Sequence, residues 1–311
     1  MIIAYMSPPI ITIPRKDFTS HPLLARLLEL HTIPKEIHIR GTLPEVTIDM
    51  YGRATPRILT IVGSRKNTPY GRRALESLIA SLAQEDVIII SGLALGIDGL
   101  AHRTALTHNL ITIAVPGSGL DPKVLYPHAH LTLADEITSH GGVLLSELDD
   151  TTIAAPWTFP LRNRIMAALC DALLVVEAEE KSGTLITARL ALELGRDIGA
   201  IPGEIFSSHA LGTNTLIKEG AYPIASASDL FALLHLSEPT VDTQSIKRDI
   251  KNSPLLNDDE KILIELIRGS IDKDTLYLQS KFDFSKFLAV FSTLEINGYI
   301  EETFGEVRRL V

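Results

Sequence analysis

Three short stretches of this 311-residue chain combine residue types that can bind anions. Gly63-Ser64-Arg65 closes an apolar run, Asn67 or Thr68 can cap the helix that follows, and Pro69 suits its first turn. Such a turn directs backbone N–H groups toward a ligand at the positive end of a helix, which favours phosphate, and Arg65 adds a forked charge. The plainer alternative is that Gly63 only permits the turn and Arg65 is solvated. Ser182-Gly183-Thr184 repeats the arrangement after a run ending at Glu177, with Lys181 and Arg189 beside it. Between the two lies Phe159-Pro160-Leu161-Arg162-Asn163-Arg164, just after Trp157. Aromatic faces next to arginines are what a nucleic-acid single strand requires, stacking for bases and charge for phosphates. Here the alternative is that Phe159 is core and the arginines cap acidic helices.

Two further groups carry less chemistry. Asp98 and His102 stand one helical turn apart, a spacing that could hold a metal, but no third ligand is apparent and a structural hydrogen-bonding role is the simpler expectation. Asn214 can cap a short helix or point its amide into a ligand cleft. Several signatures are missing: no G-x-G-x-x-G follows a strand, no G-x-x-x-x-G-K-[ST] is present, and there is no G-x-S-x-G elbow. The expectation is a site without a cofactor or a metal.

The elements that must position these residues show in the hydrophobic pattern. From Arg57, the apolar runs Ile58–Val62, Val87–Ile90, Ile111–Val115, Val143–Leu145, Leu173–Val176 and Ile198–Ile201 alternate with helical patterns at Tyr70–Ala83, Ile97–Leu106, Ala129–Ser139, Arg162–Leu169 and Leu185–Leu194. Strands apolar on both faces, alternating with helices, predict an α/β domain: a mostly parallel, Rossmann-like sheet covered on each side. In such a sheet both glycine turns lie at the carboxyl ends of strands, where ligands bind. Residues 1–55 read as a short lead-in punctuated by prolines, with one helical stretch at Leu23–Leu30. Residues 56–236 form the main domain and 237–253 a polar linker. Residues 254–311 predict three helices (Leu256–Ile267, Thr275–Gln279, Phe284–Asn297) and a hairpin about Gly305, the plan of a winged helix.

Composition narrows the setting. An apolar fraction of 45% is ordinary for a globular protein, and the single Cys170 excludes an internal disulfide framework. Met1–Ile13 lacks the basic start of a targeting segment, and no apolar run nears the ~18 residues of a membrane span. A cytoplasmic protein without membrane contact is expected. A net charge of −9 confines any nucleic-acid surface to a local basic stripe.

Many blocks, in order, are similar to the bacterial DNA-processing protein A family (DprA/Smf). They include IVGSR at 61–65, SGLALGID at 91–98, TIAVPGSGLD at 112–121, FPLRNR at 159–164, SGTLITARLALELGR at 182–196, GTN at 212–214 and LIKEGA at 216–221. The resemblance covers about Pro56 to Leu234 and extends to the winged helix that many members carry. It implies a non-enzymatic protein that binds and protects single-stranded DNA, helps load the recombinase RecA onto it in recombination and natural transformation, and forms homodimers through the Rossmann domain. It also implies a DNA pocket at Gly63, Ser64, Arg65, Phe159, Arg162, Asn163, Arg164, Ser182, Gly183, Asn214 and Lys218. Members often have an asparagine after the Tyr-Pro; here Tyr126-Pro127 leads to His128 and His130.

Two rivals remain. A Rossmann-like hydrolase of nucleotide N-glycosidic bonds would need a glutamate in the cleft, and the helix after Thr184 offers none until Glu193. A duplex-DNA regulator would read bases with the helix Ser285–Asn297, which is too apolar for that task. The patterns further predict that Arg65 and Arg162 are dispensable for folding and that Phe159 keeps one ring face free for a base.

Overall fold

The computed structural model describes residues 8–237, 256–267, 269–297, 299–303 and 305–309. The chain divides into two compact units, Met1–Pro239 and Thr240–Val311. The expected linker at 237–253 falls almost wholly outside the described residues.

The main sheet of the first unit has nine strands: β1 (Ile10–Pro14), β2 (Glu36–Gly41), β3 (Arg57–Val62), β4 (Val87–Ser91), β5 (Thr112–Ala114), β6 (Val143–Ser146), β7 (Ala172–Val175), β8 (Asp197–Ala200) and β9 (Tyr222–Pro223), with a small separate ladder between residues 47–48 and 54–55. They form one sheet in the order β1-β2-β6-β5-β4-β3-β7-β8-β9. From β6 to β9 every neighbouring pair is parallel, whereas β2 pairs antiparallel with β6 and β1 antiparallel with β2. The strand order reverses between β3 and β7, which makes the crevice above their carboxyl ends the switch point of the fold.

Alternation along β3 explains the two covered faces. Ile58 and Val62 face one core, against α4 (Thr158–Leu169) and α5 (Gly183–Glu193). Leu59 and Ile61 face the other, against α1 (Pro69–Ser81) and α2 (Ile97–Thr107). The helix α3 (Leu131–Ser139) packs at a smaller cluster with Leu93, Leu120 and Leu144, while α6 (Leu211–Lys218) and α7 (Ala227–Leu233) close the far side.

The segment before residue 56 does more than lead in. It supplies β1 and β2 to the sheet and buries Phe18, Leu23, Leu24 and Leu27 in the α4–α5 core. Instead of one helix over Leu23–Leu30, a single α-turn (Pro22–Ala25) passes into a 3-10 turn (Arg26–Glu29). Buried Arg26 lies 2.6 Å from Asp171 Oδ1, which also accepts the Ala54 N–H, while Asp171 Oδ2 accepts the Ile58 N–H. β2 takes its place by pairing with β6, and β1 by pairing with β2.

The second unit has α8 (Asp258–Leu266), α9 (Lys273–Ser280) and α10 (Phe284–Ile296), with strands β10 (Ser270–Asp272), β11 (Ile300–Thr303) and β12 (Glu306–Arg309) in the order β10-β12-β11. Asn257 and Glu260 form a reciprocal capping box on α8, and Asp272 and Asp283 cap α9 and α10. Leu263, Leu276, Phe287, Phe291 and Val307 make its core. This is a winged helix with a third strand, β10, whose three residues carried no sequence signal.

Candidate functional site

Two cavities open at the carboxyl ends of the parallel strands. The one at the β3/β7 switch point has a volume of about 440 Å³. The turn after β3 contributes Gly63, Ser64, Arg65 and Lys66; the start of α5 contributes Ser182, Gly183 and Thr184; α4 contributes Phe159, Arg162 and Asn163. The two glycine turns are joined directly, since Thr184 Oγ1 donates to the Gly63 carbonyl at 3.3 Å.

The two helix starts differ in what meets them. At α1, the Thr68 N–H donates to Glu177 Oε2 at 3.0 Å and the Thr68 hydroxyl donates to Glu177 Oε1. Glu177 is 4% exposed and fits only because residue 71 is glycine, where a Cβ would come within 2.4–2.6 Å of the carboxylate. The expected phosphate site at the start of α1 is therefore already filled by a side chain of β7's own loop. At α5, Ser182 accepts the Thr184 N–H, and a Cβ on Gly183 would face open space. Its positive end is open to a ligand.

The arginines divide as well. Arg65 and Lys66 are exposed, and the Arg65 guanidinium lies 4.9 Å from the centre of the Phe159 ring. Arg162 is buried. Its Nη1 donates to the Val115 carbonyl at 2.8 Å, its Nε donates to Asn163 Oδ1 at 3.0 Å, and Nη1 stands 3.9 Å from Asp98 Oδ2. Gly92, directly after β4, leaves the room: a Cβ there would overlap the guanidinium. Burial pushes the Asp98 carboxyl up and the Arg162 guanidinium down from their ordinary values, and their mutual attraction opposes both shifts. The expectation that Arg162 is dispensable for folding is thus corrected, because removing it would strand a buried carboxylate.

Phe159 is half-buried and lies in the first turn of α4, which starts at Thr158, four residues earlier than the pattern indicates. Its ring packs on Gly117, meets Tyr126 edge-on at 5.9 Å and carries Arg65 above it. A free ring face is therefore not what the structure holds, since a base must take the place of Arg65. The spacing that hinted at a metal at Asp98 and His102 resolves differently: His102 shares a 2.7 Å hydrogen bond with Thr112 Oγ1, and burial lowers its pKa to about 3.

Of the eleven expected site residues, Gly63, Ser64, Arg65, Phe159, Arg162, Asn163, Ser182 and Gly183 line this cavity. Arg164, Asn214 and Lys218 do not. Arg164 points the other way, donating to Glu147 and to the Thr32 carbonyl. Two positions on from Arg162, it leaves the helix about 200° away. Asn214 pairs with both backbone groups of Gly203, at 3.2 and 3.0 Å, and Lys218 is exposed at the end of α6. Lys66 and Glu179 also line the cavity and were missed, and so does Asp98, which the sequence offered only as a structural residue or a metal ligand. A cation directly after Arg65 was the available signal for Lys66.

Comparison with known proteins follows the same outline. The family model for DNA recombination-mediator protein A matches residues 10–235. The DNA processing protein DprA of Bacillus subtilis is 41% identical over 183 residues, 59% of this chain and 61% of that protein. The Streptococcus pneumoniae DprA is 39% identical over 206 residues, 66% and 69% of the two chains. The match to Protein Smf of Escherichia coli spans 46% of its length, so this chain covers about half to two thirds of several curated relatives. Among solved structures, the S. pneumoniae DprA superposes with a TM-score of 0.62 at 36% identity, covering 72% of this chain and 74% of that one. The Helicobacter pylori DNA processing protein A, whose single-stranded DNA binding mode has been described structurally, gives 0.60 at 28% identity, covering 74% and 98%.

Proposed function

This chain belongs to the DNA recombination-mediator protein A family, and from that premise we propose that it binds single-stranded DNA in the cavity at the β3/β7 switch point. One observation carries the reading: an uncapped-by-carboxylate helix start at α5 shares a cavity with two exposed cations and an aromatic ring. The Gly183 and Thr184 backbone would meet one phosphate, and Arg65 and Lys66 would neutralise its neighbours. Arg65 would leave the Phe159 ring as it does so, freeing that face for a base. Stacking and charge are indifferent to base identity, so little sequence preference is expected. Arg162 and Asn163 act from beneath, holding the floor of the cavity.

The same reading makes the protein a DNA-protecting mediator that helps load a RecA-type recombinase and works as a homodimer in the cytoplasm. Family membership supports these roles, and among the described residues no helix is long and apolar enough to cross a membrane. In the winged helix, Lys286 on α10 is engaged by Asp259 at 2.7 Å, which leaves that helix poorly suited to duplex phosphates.

Fluorescence anisotropy with a labelled oligo-dT and a duplex of equal length tests the proposal. Preferential binding of the single strand, with affinity falling linearly in log salt, is expected. Equal affinity for both, or indifference to salt, would remove it. Glu179 on the cavity rim gives the N-glycosidase rival a candidate group; free base released from nucleoside monophosphates would replace the binding reading with that one.

A further inference from the structure

Outside the cavity, the antiparallel margin of the sheet carries a second polar cluster. Along β2, Glu36, His38 and Arg40 fall on one face. His38 is 6% exposed. Its Nδ1 lies 2.9 Å from Asp150 Oδ1 and 3.3 Å from Thr12 Oγ1 on β1. Its Nε2 is buried without a hydrogen-bond partner, with Glu36 Oε1 3.6 Å away. Asp149, on the turn after β6, completes the group: one ligand atom each from Glu36, His38 and Asp149 lie within 4.8 Å of one another.

The turn is held in place before any ligand arrives. Asp121 N–H donates to the Asp150 carbonyl at 3.0 Å, Gly119 N–H to the Thr152 carbonyl at 2.8 Å, and Thr152 N–H to the Asp149 carbonyl at 2.8 Å. A buried ring nitrogen with nothing to meet it is costly and calls for an explanation. Asp150 Oδ1, itself buried without a hydrogen-bond partner, stands 2.9 Å from Nδ1, where metal-ligating histidines keep an outer carboxylate, and this leaves Nε2 as the ligand atom.

We propose that Glu36, His38 and Asp149 form a binding site for a divalent metal of the zinc class, with Asp150 orienting the imidazole. An imidazole combined with carboxylates suits zinc, whereas magnesium prefers oxygen ligands and its own waters. The neighbouring Arg40 is buried, its guanidinium nitrogens without hydrogen-bond partners, and its charge is met at 3.3 Å by Asp135 and by the field of Asp121. The ion would join β2 to the turn that follows β6, and so pin the N-terminal strands to the parallel sheet.

The test uses tag-free full-length protein stripped with EDTA and titrated with ZnCl2 near neutral pH by calorimetry, with thermal unfolding in ZnCl2 and MgCl2 alongside. One zinc per chain and a melting temperature raised by zinc but not by magnesium are expected. Glu36→Gln and Asp149→Asn, both at solvent-accessible side chains, should keep the fold and weaken zinc binding about tenfold or more. His38→Ala should abolish it; if that variant fails to fold, the two carboxylate variants decide. No zinc uptake, zinc uptake unchanged in the carboxylate variants, or an equal shift with magnesium would overturn the site.

Discussion

Arg65 and Arg162 line one cavity, and in the sequence each stands beside a small polar residue at a turn or a helix start. In the folded chain they have opposite situations. Arg65 is exposed, rests on an aromatic ring and feels Asp98 only through its longer-range field. Arg162 is buried under the same cavity, bonded to a backbone carbonyl and set against Asp98. The rim of the site is therefore movable charge, and its floor is fixed charge that the fold depends on. A binding assay alone would confuse the two, since losing either arginine lowers apparent affinity.

The sharpest way to break the comparison is Arg162→Ala. It should cost about 3–5 kcal/mol of stability, because it leaves the buried Asp98 carboxylate without its cation. Chemical denaturation measures this, and the double variant with Asp98→Ala should recover part of the loss. A variant as stable as the parent would move Arg162 to the rim. His102, buried on α2 outside the cavity lining, makes a prediction about pH. The folded-state pKa of His102 lies at about 3, below the 6.5 of an unhindered histidine, so the unfolded chain binds the extra proton between those values. Its contribution is complete above about pH 6.5 and is lost as the pH falls toward 3, by about 1.4 kcal/mol per pH unit. Denaturation midpoints measured across that window should flatten in His102→Gln.

At the rim, Phe159→Ala should weaken single-strand binding by roughly 5- to 150-fold, the range of about 1–3 kcal/mol per stacked base, with the salt slope nearly unchanged. Its packing on Gly117 and Tyr126 adds a lower melting temperature, so binding must be normalised to folded protein. Arg65→Ala is the mildest for the fold, within about 0.5 kcal/mol of the parent. Its mark is a salt slope reduced by about one, read from titrations at several salt concentrations. A stability loss at Arg65 matching that at Arg162 would erase the distinction between rim and floor.

The parallel strands, their helices and the winged helix were legible because each has a clear period and a cap or glycine at its ends. The two glycine turns were legible as a pair for the same reason. Which arginine is buried was not, since the answer rests on Gly92, seventy positions away, leaving a space that a guanidinium fills. Nor was the closure of α1 by Glu177, which needs a carboxylate from the loop after β7 to meet Gly71 in the first turn of the helix. Asn214 and Lys218 are motif residues that serve a neighbouring loop and a helix end. Strand β1 was hidden because a short edge strand has little pattern until its partner is known, whereas β2 was overlooked although Glu36-Ile37-His38-Ile39-Arg40 alternates polar and apolar residues.

Those two strands also impose an order in time. His38 on β2 pairs with Ser146 on β6, and the difference, 146 − 38, is 108 residues. Synthesis at about 5–20 residues per second puts roughly 5–20 s between the two. For that interval the segment with Phe18, Leu23, Leu24 and Leu27 has no sheet to cover, and β2 lacks its β6 neighbour. That segment must wait for the middle of the chain, so assembly of this sheet ends at its antiparallel margin.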